Sequence, residues 1–162
     1  MSVVIRPART ADHAAITRII VPTIRAGETY ALDRDLGAAD ALAYWTGADR
    51  ETFVAEVDGT VLGTSYLRAN QAGGGAHVAN CGFMTDTAAS GRGIGRAMAA
   101  HALDRARARG FAAMQFNFVV STNVRAVRLW ESLGFAIVGR LPGAFAHPGL
   151  GRVDALVMFR TL

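Results

Sequence analysis

The placement of apolar and polar residues divides the chain into short segments of two periods. Runs rich in Val, Ile, Thr, Phe and Met, bounded by turn residues, predict strands over residues 3–6, 52–57, 61–67, 77–85, 114–119, 136–141 and 152–159. Pro7 ends the first, and Asp58-Gly59 between the second and third is a hairpin turn. Helical spacing marks four other segments. The first starts near Thr10 or Asp12, either of which can cap it, and puts Ile16, Ile19 and Ile20 on an inner face. A short helix covers 38–45, a long one follows Gly95, and a last one spans 123–133 with Ala126, Leu129, Trp130 and Leu133 in one stripe. Residues 27–35, 71–75 and 142–150 read as loops, the last for its prolines and glycines. This order predicts an α/β (α+β) domain: a mixed, mostly antiparallel sheet of about seven strands flanked by about four helices. With no repeat or linker, 162 residues make a single domain spanning 1–162.

Composition narrows the class. Hydrophobic residues make up 51%, as in a globular enzyme, and no apolar run nears the roughly 20 residues of a membrane span. The opening MSVVIRPART lacks a secretory layout, and the lone Cys81 permits no internal disulfide. A cytoplasmic enzyme is the expectation. The net charge of +4 is carried by arginine alone, and the chain has no lysine. Arg92, Arg96, Arg105, Arg107 and Arg109 crowd one helix, where the last three read as a solvated face. Nucleic-acid binding is not expected, because the aromatic residues lie mostly in strand-like segments rather than interleaved with the arginines. His13, His77, His101 and His147 show no metal spacing, so no metal is expected.

The chemistry concentrates at Ser90-Gly91-Arg92-Gly93-Ile94-Gly95-Arg96, where a glycine-rich turn opens the long helix. Glycines at 91, 93 and 95 let a ligand approach the backbone. The unpaired N–H groups of the first helical turn and the helix dipole favour an anion there. The turn is not a nucleoside-triphosphate loop, since no Gly-Lys-Ser/Thr follows. It also lacks the third glycine of the dinucleotide fingerprint, with Met98 in that place.

Taken with Met84-Thr85-Asp86-Thr87 before it and Asn123, Ala126, Leu129, Trp130, Gly134 and Phe135 after it, this turn resembles the GCN5-related N-acetyltransferase (GNAT) family. The resemblance implies acetyl-CoA as donor, an amine as acceptor, and a sheet whose central strands splay around the thioester. It implies donor contacts at Met84, Thr85, Gly91, Arg92, Gly93, Ile94, Gly95, Arg96, Asn123 and Trp130, with the Met84 N–H holding the carbonyl oxygen. Two departures stand out. Ser90 replaces the usual Arg or Gln, and Trp130 replaces a tyrosine that often serves as acid. An indole does not titrate usefully, but a coenzyme A thiolate can leave without full protonation.

A narrower resemblance, through His-Val-x-Asn-x-Gly-Phe and Asn117, is to the fungal proline-analogue N-acetyltransferases. It implies a small amino or imino acid, or a related xenobiotic amine, as acceptor. Asn80 then holds the acceptor's carboxylate, with Asn117 and Asn123 lining the cleft. Alternation puts Val78, Asn80, Gly82 and Met84 on one strand face, and Gln115, Asn117 and Val119 together on the next. Glu28, in the loop with Tyr30 that borders the acceptor pocket in the family, is the candidate base. The expected partner is a small-molecule amine, with self-association into a homodimer left open. The alternatives are a protein N-terminal or side-chain acetyltransferase and a coenzyme A-binding regulatory module without turnover.

Overall fold

The computed structural model describes residues 2–162. Seven strands and four longer helices follow one another as β1 (Val3–Pro7), α1 (His13–Ala26), α2 (Ala38–Trp45), β2 (Glu51–Val57), β3 (Thr60–Ala69), β4 (Val78–Thr85), α3 (Ile94–Ala108), β5 (Ala113–Val120), α4 (Val124–Ser132), β6 (Ala136–His147) and β7 (Gly151–Thr161). They form one sheet in the order β1-β2-β3-β4-β5-β7-β6. Every neighbouring pair is antiparallel except β4–β5. That parallel pair touches only at Val78↔Ala113 and Ala79↔Met114, and beyond these residues the strands part. The gap is the feature that positions the site.

Two layers of helix cover the sheet. On one face α1 and α2 bury Ile16, Ile19, Ile20, Ile24 and Trp45 against Val54, Tyr66 and Met84. The α1 spacing builds one apolar stripe, and Gly27 ends the helix in the left-handed region (φ 65°). Trp45 is fully buried with its polar atom satisfied: Nε1 donates to Thr64 Oγ1 (2.9 Å), which donates to Phe53 O (2.9 Å). On the other face α3 and α4 pack Ala99, Ala102, Leu103 and Trp130 against Phe116, Phe135 and Met158. Asp12 stands at the start of α1, yet its carboxylate makes no cap there. It turns back to the Arg6 guanidinium (2.8 and 2.9 Å) and accepts from the Arg9 N–H (2.7 Å).

Two strand expectations need correction. Residues 142–147, read as loop, continue β6, and register shifts between Leu141 and Phe145 absorb Pro142 and Gly143. Proline lacks an N–H, and β6 tolerates it as the edge strand. The edge leaves Ile137, Val138 and Leu141 exposed. In β5, a register shift between Phe116 and Val119 inserts one residue and reverses the alternation. Val119 therefore packs with Phe116 beneath α4 and does not share the face of Gln115 and Asn117.

Candidate active site

The gap between β4 and β5 opens into a cleft of two lobes. The larger, of about 660 Å³, is lined by β4, the glycine turn, α3 and α4. The smaller, of about 250 Å³, is lined by the 29–32 loop, Tyr44, Tyr66, Arg68, Asn80 and β5. Thr29, Tyr30, Phe83, Asn123 and Ala126 border both lobes, so these residues mark the junction.

The larger lobe is built from main chain. Gly91 (φ 84°) and Gly93 (φ 77°) occupy the left-handed region that glycine adopts without strain. A Cβ placed on Gly93 would meet nothing within 4 Å, so a side chain there meets the strain of the positive φ but no steric clash. The first intrahelical bond of α3 runs from Ala97 N–H to Gly93 O (3.0 Å), leaving the N–H groups of residues 94–96 directed outward. Ser90, Gly91, Gly93, Ile94, Gly95 and Arg96 line the lobe; Arg92 is exposed and outside its lining. Arg125 and Arg128, from α4, also line it. Arg125 Nη1 donates to Ser90 Oγ (2.6 Å), which puts a cation at the residue where the family's usual Arg or Gln is missing. Across the mouth, Arg96 Nη2 donates to Ser132 Oγ (2.8 Å) and ties α3 to α4. Glycine approach, outward amides and three arginines are the donor set that a pyrophosphate requires. Arg105 and Arg109 instead pair with Glu51, and Arg107 with Asp104, so these three belong to the helix surface.

The alternation of β4 decides which amides face the gap. Successive residues of a strand turn their main-chain groups to opposite edges. Val78 O accepts from Asn70 N–H (2.7 Å) and Asp86 N–H donates to Leu62 O (2.8 Å), both on the β3 side. The register between them has no shift, so the even residues of β4 bond β3 and the odd ones face β5. Met84, opposite Thr64, therefore spends its N–H on β3, and the expectation that it holds the carbonyl oxygen is corrected. Phe83 and Thr85 present theirs to the gap. At Phe83 a side chain fills it: the Tyr30 hydroxyl donates to Phe83 O (2.9 Å) and accepts from Phe83 N–H (2.9 Å). Met84 and Thr85 both line the larger lobe.

The smaller lobe is built from side chains. Tyr66, Arg68 and Asn80 form its floor; each strand pair there sets Tyr66 beside Gly82 and Arg68 beside Asn80. A Cβ on Gly82 would collide with the Tyr66 ring, so glycine lets that ring lie across β4. Tyr44 stands edge-on to Tyr66 at 6.4 Å between ring centres. Asn80 is buried, and its Nδ2 donates to Gln115 O (2.9 Å) across the widening gap. Asn117 is exposed; its Oδ1 accepts from Gln115 Nε2 (2.8 Å) and its Nδ2 donates to Asn70 Oδ1 (2.6 Å). Asn123 caps α4 by accepting from Ala126 N–H (3.4 Å). Trp130 packs among Phe83, Phe116 and Phe135 and borders the smaller lobe rather than the larger. Cys81 borders it too, its thiol 3.8 Å from Met114 Sδ and pushed well above its ordinary range by burial. Glu28 is exposed and lines neither lobe, so it is not placed to take a proton from an amine in the cleft. No Asp, Glu or His among the described residues lines either lobe.

The profile of the acetyltransferase (GNAT) family matches residues 12–135, which hold the parted strands, the glycine turn and α4. The chain belongs to the GNAT family. Its structure superimposes on a GCN5-related N-acetyltransferase from Kribbella flavida with a TM-score of 0.93, at 46% identity over 99% of this chain and 98% of that one. A putative acetyltransferase from Salmonella typhimurium, solved with its cofactor acetyl-CoA, gives 0.87 at 26% identity over 100% and 95%. The N-acetyltransferase aca1 of Schizosaccharomyces pombe is 36% identical over 99 residues, 60% of this chain. That match spans 47% of the yeast protein. Membership of the GNAT family and the match to the yeast N-acetyltransferase support an acetyl-CoA-dependent N-acetyltransferase. The names donor lobe, for the larger, and acceptor lobe, for the smaller, follow the roles proposed for them below.

Proposed function

We propose that this enzyme acetylates the amine of a small amino or imino acid, or of a related xenobiotic amine, by direct transfer in a ternary complex. The size and lining of the acceptor lobe carry this reading: about 250 Å³ walled by three tyrosines, with Arg68, Asn80, Asn117, Asn123 and Thr29 among the polar groups. A compact amine fits that space. A guanidinium and side-chain amides are the donors that a carboxylate beside the amine would meet.

The chemistry follows from placement. The donor's diphosphate rests on the 91–96 turn with Arg96, Arg125 and Arg128 around it, and its arm runs along the open edge of β4 past Thr85. The thioester carbonyl oxygen takes the Phe83 N–H at the junction of the lobes. The neutral amine, held in the acceptor lobe, gives its lone pair to the carbonyl carbon, and the oxygen gains negative charge against that N–H. Collapse breaks the carbon–sulfur bond and expels the thiolate. With no carboxylate or imidazole in the lining, the proton of the new ammonium leaves to water. Holding the two reactants at one junction supplies much of the acceleration.

Release of free thiol from acetyl-CoA, measured against proline analogues, other small amino acids, xenobiotic amines and N-terminal peptides, tests the reading. Turnover with small amines and little with peptides is the expected result. Turnover confined to peptides would transfer the enzyme to the protein-acetylating class.

A further inference from the structure

Tyr30 sits at the meeting point of the two lobes, and its hydroxyl occupies a defined chemical position. It makes two hydrogen bonds of 2.9 Å, donating to Phe83 O and accepting from Phe83 N–H. Those are the two main-chain groups that a neighbouring strand would satisfy had β4 and β5 stayed paired. An oxygen accepting from the Phe83 N–H at 2.9 Å stands where the thioester oxygen must stand for that amide to hold it. Both oxygens cannot occupy one place.

We propose that the Tyr30 hydroxyl is a displaceable stand-in for the donor's carbonyl oxygen and, once displaced, the second hydrogen-bond donor to it. The inference rests on the reading that Phe83 N–H binds that oxygen. In the donor-free enzyme Tyr30 keeps the Phe83 main chain satisfied at the parted edge, where an unpaired polar group is costly. When acetyl-CoA enters, the carbonyl oxygen takes the Phe83 N–H and the hydroxyl swings aside by about the width of one oxygen, a hydrogen-bond length. Its proton then points at the incoming oxygen. The negative charge of the tetrahedral state meets an amide and a phenol. No proton is transferred; the phenol donates a hydrogen bond and keeps its hydrogen throughout. Burial raises the Tyr30 phenol well above its ordinary range, which suits a group that stays protonated. The ring is anchored for this motion edge-on to Trp45 at 6.0 Å, a contact that phenylalanine preserves. The role also answers a difference at α4: Trp130, where the family often has a phenol, packs among phenylalanines, and Tyr30 brings a phenol to the junction from the opposite side.

Tyr30→Phe separates this from a structural role because its two effects have opposite signs. Acetyl-CoA should bind about three- to tenfold more tightly by calorimetry, because it no longer displaces a hydroxyl that serves two amide groups, and the phenol's bond to the neutral thioester oxygen, a weak acceptor, is the lesser loss. The turnover number should fall roughly 100-fold, the loss expected for one oxyanion donor. Coenzyme A, which has no acyl oxygen, should bind wild type and variant alike. Unchanged or weaker acetyl-CoA binding in a variant of normal thermal midpoint overturns the stand-in, and an unchanged turnover number overturns the second donor. Equal tightening of acetyl-CoA and coenzyme A overturns the Phe83 reading and the inference with it. Should the variant fold poorly, a crystal of the wild-type enzyme with acetyl-CoA tests the same two points. The carbonyl oxygen on Phe83 N–H with the Tyr30 hydroxyl against it is the expected arrangement. The oxygen on Phe83 with Tyr30 turned away overturns only the second donor, and the oxygen elsewhere overturns the Phe83 reading.

Discussion

The donor and acceptor lobes lie side by side but are made of different material. The donor lobe is centred on backbone, the open edge of β4, the glycine turn and the first amides of α3, with arginines from α3 and α4 around it. The acceptor lobe is mostly side chain, gathered from the 29–32 loop, α2, β3, β4 and β5. Backbone geometry persists while surrounding residues change, provided that glycine holds the turn. A pocket of side chains alters with each substitution. One fold can thus keep a single donor and take many acceptors.

Substitutions that touch only one lobe test this contrast. Gly93→Glu has the largest expected effect, because a carboxylate would project from the turn toward the diphosphate. Acetyl-CoA binding by calorimetry should weaken about 100-fold or more, with the fold intact by circular dichroism. Near-normal affinity would detach the turn from the donor. Asn80→Ala should raise the acceptor's KM about tenfold and leave donor affinity unchanged. It also strips the partner from the half-buried Gln115 O, so urea denaturation should show a loss of about 1 kcal/mol. An equal loss of donor and acceptor binding would mean that Asn80 serves only the gap. Arg125→Ala should weaken donor binding about threefold to tenfold, more at low salt than at high, with the acceptor's KM unaffected. Smallest is the shift in the pH profile. With no carboxylate or imidazole among the described residues that line the cleft, kcat/KM should rise with pH along the acceptor amine's own titration. Exchanging that amine for one about one pKa unit lower should move the profile down by about the same amount. A profile fixed across acceptors would reveal an enzymic base.

The same contrast explains what is legible in the sequence. The turn at 91–95 and the residues from Asn123 to Phe135 are consecutive stretches, so their spacing shows in the chain. Pattern gives the element order and resemblance gives the parted central strands, and the structure has both. Arg125 is not legible because its role depends on α4 lying across Ser90, 35 residues away in sequence. Arg68 and Tyr44 join the acceptor lobe only once β3, β4 and α2 come together. The resemblance points to Met84 as carbonyl donor because it marks a stretch of β4, whereas the edge to which each amide points is fixed by strand pairing, which gives Phe83. The β5 bulge is hidden for a related reason: an inserted residue between Phe116 and Val119 leaves no turn residue to mark it.

The single cysteine bears on how the enzyme is measured. Cys81 lies buried in β4, and a sulfhydryl held in its protonated form reacts slowly with electrophilic dyes. A colorimetric reagent added during turnover should therefore count the sulfur leaving the substrate, with a flat blank and no inactivation of the enzyme.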